Sequence, residues 1–228
     1  VIERLLPASV VTVEAIGPAA ADPGAEAGLY PEERAVITKA VDKRRREFAT
    51  VRACARQAME KLGVPPRPIL PGERGAPGWP EGVRGSMTHC AGYCAAALVR
   101  TADLASLGID AEPHDRLPEG VQSAIALPAE EERLAALTAS RPGVHWDRLL
   151  FSAKESVYKA WFPLTGKWLD FSEADITLTP VEETFGTVSA TLLVPGPVVA
   201  GREVGRFEGH WMVRDGLLAT AIAIPYTA

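Results

Sequence analysis

The chain has 228 residues, 47% of them hydrophobic and 23% charged, a composition suited to a globular protein that buries one core or two small ones. Its net charge of −5 leaves no excess of cations to track a phosphate backbone, which excludes general nucleic-acid binding but not a local basic pocket. Cys54, Cys90 and Cys94 are odd in number and form no Cys-x-x-Cys pair, so neither a disulfide framework nor a zinc site is expected. No apolar run approaches a membrane span, and the first residues lack the basic-then-apolar order of a signal peptide. A cytoplasmic monomer without membrane contact is the expectation.

In chain order, residues 9–13 are β-branched and read as a strand. Residues 17–28, rich in alanine with Pro18 and Pro23, read as a loop. A helix begins at Pro31, with Glu32 and Glu33 where the helix dipole favours them. The next helix, residues 43–62, carries a buried stripe of Phe48, Val51, Ala55, Met59 and Leu62, and Gly63 is its stop. Arg44, Arg52 and Arg56 recur at multiples of four on its polar face. They make either a solvated basic face or a phosphate clamp, since guanidinium forks bind phosphate oxygens bidentately. Residues 65–79 are broken by prolines and glycines into irregular structure. Ser86-Met87-Thr88-His89 then leads into an apolar core strand at 93–99. A Cys90/His89 nucleophile is disfavoured, because neighbours on a strand point to opposite faces.

Residues 101–106 join the two halves, and 107–112 form a strand with Asp110 and Glu112 on one side, about 7 Å apart. Such carboxylates repel unless a cation lies between them or one stays protonated. Residues 113–118 are a loop, and a helix starts near Glu119. Another covers 129–137, with Glu130, Glu131 and Glu132 expected in solvent at its N-terminus. In the helix over 146–161, Trp146, Leu150, Ala153, Val157 and Trp161 form the buried stripe. Glu155 and Lys159 fall opposite it, one turn apart, and Lys154 flanks it. Read blandly, that is a solvated ion pair worth about 0.2–0.5 kcal/mol. Read with Asp110 and Glu112, Glu155 completes an all-oxygen site suited to Mg2+ or Mn2+. After Pro163 the chain reads as strands at 176–178, 187–194, 209–214 and 217–224, with a hairpin at Asp215-Gly216. The fold class expected is α+β.

Two stretches, Gly-Ile-Asp-Ala-Glu at 108–112 and Phe-Ser-Ala-Lys-Glu-Ser-Val-Tyr-Lys-Ala-Trp at 151–161, resemble the paired signature motifs of 4′-phosphopantetheinyl transferases. Residues 71–77 resemble the family's Gly-x-(Lys/Arg)-Gly-x-Pro loop, with Pro71 at a position that is basic in some members. Residues 86–89 resemble its Ser-x-(Ser/Thr)-His stretch. The wording is similar to the larger, Sfp-type branch found in actinobacteria. The resemblance implies a pseudo-twofold pair of similar α/β lobes, residues 1–103 and 104–228, with coenzyme A in the cleft between them. It implies transfer of the phosphopantetheine arm to a serine of an acyl or peptidyl carrier protein of polyketide, peptide or fatty-acid synthesis, releasing 3′,5′-ADP. Coenzyme A contacts then fall to Arg44, Arg52, Gly72, Glu73, Arg74, Thr88, His89, Asp110, Lys154, Glu155 and Lys159. Mg2+ falls to Asp110, Glu112, Glu155 and the Ala111 carbonyl. Glu155 is the expected base, with Lys159 and Asp110 beside it in catalysis. A metal-dependent phosphodiesterase or pyrophosphatase, and a non-catalytic nucleotide-binding module, are the alternatives.

Overall fold

Three strands of the first half, β1 (Val11–Ile16), β2 (Val83–Cys90) and β3 (Tyr93–Arg100), form an antiparallel sheet in the order β1-β3-β2, in a computed structural model that describes residues 1–227. All of β3 from Tyr93 to Val99 is buried, as its unbroken apolar run requires of a central strand covered on both faces. A short helix α1 (Pro31–Val36) leads to α2 (Asp42–Lys61), whose Cys54, Ala55, Ala58 and Met59 pack on Ala96 and Leu98 of β3. Glu33 of α1 is wholly buried, and its carboxylate accepts from Arg56 at 2.8 and 3.0 Å, from the Ile69 amide at 3.2 Å and from the Tyr30 amide at 3.0 Å. Arg56 is therefore held by the fold and does not join a phosphate clamp.

The second half builds β4 (Ser106–Pro113), the helices α3 (Val121–Ile125), α4 (Pro128–Ser140) and α5 (Trp146–Thr165), and then β5 (Ala174–Pro180) and β6 (Phe185–Leu192). A two-stranded ribbon, β7 (Val198–Val199) with β8 (Arg202–Glu203), precedes β9 (Arg206–Arg214) and β10 (Leu217–Ile224). The main sheet is antiparallel in the order β4-β10-β9-β6-β5. Asp215 and Gly216, with φ of 53° and 75°, close the β9–β10 hairpin in the left-handed conformation that such a turn needs.

The sheets face each other through one apolar layer. Tyr93, Ala95, Ala97 and Val99 of β3 meet Ile109 and Ala111 of β4 and Ala219 and Ala221 of β10. On its other face the second sheet carries α5 through Leu149, Leu150, Ala153, Val157 and Trp161. The order of layers is helix, sheet, sheet, helix, a mixed α+β fold. Three expectations are corrected. Residues 17–28 are not plain loop but two 3₁₀ turns, Gly17–Ala21 and Pro23–Gly28. The last long helix runs past Pro163 to Thr165, because a proline in the final turn loses little of the hydrogen-bond ladder before Gly166 caps it. Glu130 is buried rather than solvated: it accepts from Lys154 at 2.7 Å and from the Ile176 and Leu127 amides at 2.8 Å each. Among the described residues no helix is long and apolar enough to cross a membrane.

Candidate active site

The edge strands β2 and β4 lie side by side at the floor of a cavity of about 900 Å³, walled by α2, α5 and the 71–77 loop. Gly108 sets this geometry. A Cβ there would overlap the Ser156 carbonyl oxygen and stand 2.7 Å from the Ala160 amide nitrogen, so α5 rests directly on β4 only because residue 108 is glycine. Ser152 and Ser156 of α5 share hydrogen bonds of 2.9 and 2.6 Å with the Thr220 hydroxyl of β10, and this fixes the helix's rotation. The result brings Glu155 and Lys159 over Asp110.

Asp110 is 5% exposed. Its Oδ1 accepts from Lys159 Nζ at 3.0 Å, while Oδ2 is buried with no hydrogen-bond partner. Burial pushes the Asp110 pKa up, against the pull of the Lys159 ammonium. Glu155 is half-buried and is likewise raised by burial, with Lys159 lowering it and Asp110 raising it again. Lys159 Nζ also donates to the Ile109 carbonyl at 2.9 Å and the Met87 carbonyl at 3.3 Å, so all three of its protons have acceptors.

Across the cavity, Arg44 Nη1 lies 2.9 Å from His89 Nε2, and Glu47 is 3.5 Å from the same nitrogen. An arginine only donates, so in this contact Nε2 is the acceptor, a role open only to the neutral imidazole, whereas the Glu47 carboxylate favours the charged form. Burial, then Arg44, hold the imidazole's pKa below the usual histidine value. Arg74, at φ 53°, reaches from the 71–77 loop to place its guanidinium 5.4 Å from the Trp168 ring, joining the two halves at the cavity's mouth. Arg52 is 6% exposed, stacks at 3.4 Å on Phe48 and donates Nε to the Ile69 carbonyl at 2.9 Å. Burial lowers its pKa to about 10. Thr88 also lines the cavity, but its hydroxyl accepts the Ala111 amide at 3.0 Å.

Five expected residues are not among those lining the cavity. Lys154 is 3% exposed and turned into the core, donating to Glu130 at 2.7 Å and to the Phe171 and Ala174 carbonyls at 2.6 and 2.8 Å. It has no proton left for a ligand. It flanks the apolar stripe, so i,i+4 spacing alone could not say on which side it falls. Gly72 and Glu73 sit in the loop without lining the cavity, unlike their neighbours Pro71 and Arg74. Ala111 turns its methyl into the layer between the sheets, which leaves the expectation for its carbonyl where it stood. Glu112 points to Arg148, 3.2 Å away, a partner 36 residues on that no local pattern announces. Conversely, Arg84 and Tyr158, and Phe48 from the apolar stripe of α2, line the cavity although no motif assigns them to it. Arg84 shares the face of β2 that carries Ser86 and Thr88, by the period of two.

A divalent cation fits this donor set in part. Among the described residues no group of three or more His, Cys, Asp or Glu side chains is gathered to hold a metal. The orphaned Oδ2 of Asp110 and the carboxylate of Glu155 nevertheless face one cavity, and Mg2+ is commonly held by one or two carboxylates with the rest of its shell from water and phosphate. Those two residues would hold it.

Cations on one wall and two raised carboxylates on the other make a site for a phosphate-bearing ligand, with a base beside it. Family models place the chain in the same class. The model of the 4′-phosphopantetheinyl transferase N-terminal domain matches residues 32–99, and that of the 4′-phosphopantetheinyl transferase superfamily matches residues 106–192. The chain belongs to this superfamily. It is 58% identical to the 4′-phosphopantetheinyl transferase Svp of Streptomyces mobaraensis, over 98% of this chain and 89% of that one. It is 47% identical to PptT of Mycobacterium tuberculosis, over 98% and 97% of the two chains, and 46% identical to Npt of Nocardia iowensis, over 97% and 99%. It is thus a member of the Sfp-type, actinobacterial branch.

Proposed function

We propose that this protein transfers the 4′-phosphopantetheine moiety of coenzyme A to a serine hydroxyl of an acyl or peptidyl carrier protein, releasing 3′,5′-ADP. The observation that carries the reading is the meeting of Asp110, Glu155 and Lys159 from one half with Arg44, His89 and Arg74 from the other around a single cavity. In this reading the two halves, residues 1–103 and 104–228, are lobes related by a pseudo-twofold, each a sheet under one 20-residue helix. The protein acts as a monomer in the cytoplasm.

The roles follow from the chemistry. Arg44, His89 and Arg74 receive the phosphates of the nucleotide end. Glu155, whose pKa burial raises above the ordinary glutamate value, takes the proton of the attacking serine. Asp110 and Glu155 are the residues that would hold Mg2+, which supplies charge neutralisation at the pyrophosphate. Lys159 favours the ionised form of Asp110 against burial and orients it, and its ammonium adds positive field where the leaving phosphate gains charge. The test is an intact-mass assay with the protein, coenzyme A, Mg2+ and an apo carrier protein, with and without EDTA. A phosphopantetheine-sized gain on the carrier serine that EDTA abolishes is the expected result. Coenzyme A consumed with no gain on the carrier would point to a hydrolase instead.

A further inference from the structure

The two sheets meet along β2 and β4 without a backbone ladder. On an edge strand, every second residue turns both its amide and its carbonyl outward, and an unmet pair in a buried place is costly. The outward amides of Ile109 and Ala111 on β4 are met by side chains: the Ser86 hydroxyl accepts the first at 3.0 Å and the Thr88 hydroxyl the second at 3.0 Å. Both bonds join residues 23 apart in sequence, so β2 and β4 run parallel in a fixed register. Ser86 and Thr88 are 4% and 3% exposed. The carbonyls of Met87 and Ile109, which would otherwise face each other across the gap, both accept from Lys159.

This seam has a geometric consequence. A direct ladder would draw the strands to about 4.8 Å. A hydroxyl arm between them holds them farther apart, and the gap so made admits the Lys159 ammonium at the cavity floor. Asp110 lies between the two bolted amides, and the Thr88 hydroxyl also favours its ionised form. His89 follows Thr88 directly on β2. The two hydroxyls therefore fix the distance from the strand that carries His89 to the strand that carries Asp110.

Building on the transfer reading above, we propose that Ser86 and Thr88 are positioning residues, whose hydroxyls set the span between the phosphate-binding wall and the carboxylates without touching the ligand themselves. The Thr88 hydroxyl, at a position expected to contact coenzyme A, already accepts the Ala111 amide in the seam. The nucleotide end of coenzyme A rests on Arg44, Arg74 and His89, all in the first half. Its affinity should be indifferent to the seam. Turnover should not be, since it needs both walls at once.

The experiment compares Ser86→Ala, Thr88→Val and Thr88→Ser with the wild type, all full-length. Transfer kinetics are read by carrier mass, and 3′,5′-ADP affinity by calorimetry well below each variant's Tm. Ser86→Ala and Thr88→Val should lower kcat by about tenfold to a hundredfold, the scale of a misplaced reacting group. Their Kd for 3′,5′-ADP should stay within about twofold, and Thr88→Ser should keep kcat within about twofold of wild type. A raised Kd with kcat intact would make Thr88 a ligand and overturn the proposal. So would a lowered Tm with kcat intact, or Thr88→Ser failing as badly as Thr88→Val. If Thr88→Val does not fold, Ser86→Ala decides alone. Hydrogen exchange at the Ile109 and Ala111 amides reads the seam separately from transfer: slow in wild type, faster at Ile109 in Ser86→Ala. A wild type that shows the protected amides but no transfer would count against the function while leaving the seam in place.

Discussion

Glu155 and His89 carry opposite electrostatic settings, and each predicts a separate measurement. Among the described residues Glu155 has no hydrogen-bond partner to lose, and burial holds its pKa above the ordinary glutamate value. Glu155→Gln keeps its shape and removes the charge, and with it both the proposed base and one of the carboxylates that would hold Mg2+. It should lower kcat by about 10²- to 10⁴-fold while shifting Tm by no more than about 2 °C. Turnover near that of wild type would remove Glu155 from the mechanism. Burial, then Arg44, hold the His89 pKa below the usual histidine value in the free protein. A phosphate drawn to the same place favours the imidazolium, so ligand binding should take up a proton there. The sign follows: as the pH falls toward the free-state pKa, which lies below the usual histidine value, that proton becomes available, and affinity for 3′,5′-ADP should rise until the free histidine is itself protonated. His89→Gln should lose this rise while keeping the ligand's own titration, so the difference between the two calorimetric pH curves isolates it. Superimposable curves would show that His89 takes no proton.

At the scale of elements, the packing of α5 on β4 depends on a missing side chain, and that dependence can be measured. Gly108→Ala would drive a methyl into the Ser156 carbonyl and push α5 off the strand, an overpacking cost of about 1–3 kcal/mol. Gly186→Ala makes a matched control, because a Cβ there would overlap the Thr179 carbonyl, and Gly186 does not line the cavity. Both should lower Tm, but only Gly108→Ala should also lower kcat per folded molecule. Equal kcat in the two variants would reduce Gly108 to ordinary packing. The same contrast explains what the sequence could disclose. The stripe of α5, the Asp215-Gly216 turn and the period-two placement of Asp110 are local patterns, and they were legible. The partners of Lys154 and Glu112 were not, because Glu130, Phe171 and Arg148 reach them only through the tertiary fold. Glu130 shows the limit most plainly. An acidic first turn reads as solvated, yet α4 is docked so that this carboxylate receives a buried lysine and two amides. Periodicity gives the face of a helix, not what the face meets.

For the whole molecule, the question is whether two halves with their own sheets are two folding units. The layer between the sheets argues that they are not. Ile2, Leu5, Tyr93 and Val99 from the first half and Leu107, Ile109, Met212 and Ala219 from the second are all nearly inaccessible, and each set is covered by the other. Burying a large apolar side chain contributes about 1.5–3 kcal/mol. Separating the halves would expose several such side chains on each, together with the amides of Ile109 and Ala111 now bonded across the seam. That loss is comparable to the whole margin of a domain, about 5–15 kcal/mol. The full chain should therefore unfold in one transition, with calorimetric and van't Hoff enthalpies equal. Residues 1–103 and 104–228 expressed separately should show no cooperative melt. Coenzyme A, bound to both walls, should raise the single Tm as one event, by about 2.7 kcal/mol of added stability at a hundred times its Kd. Two resolved transitions, or a half that melts cooperatively by itself, would mean that the lobes are independent and that the ligand and the seam, rather than the shared core, hold the cavity together.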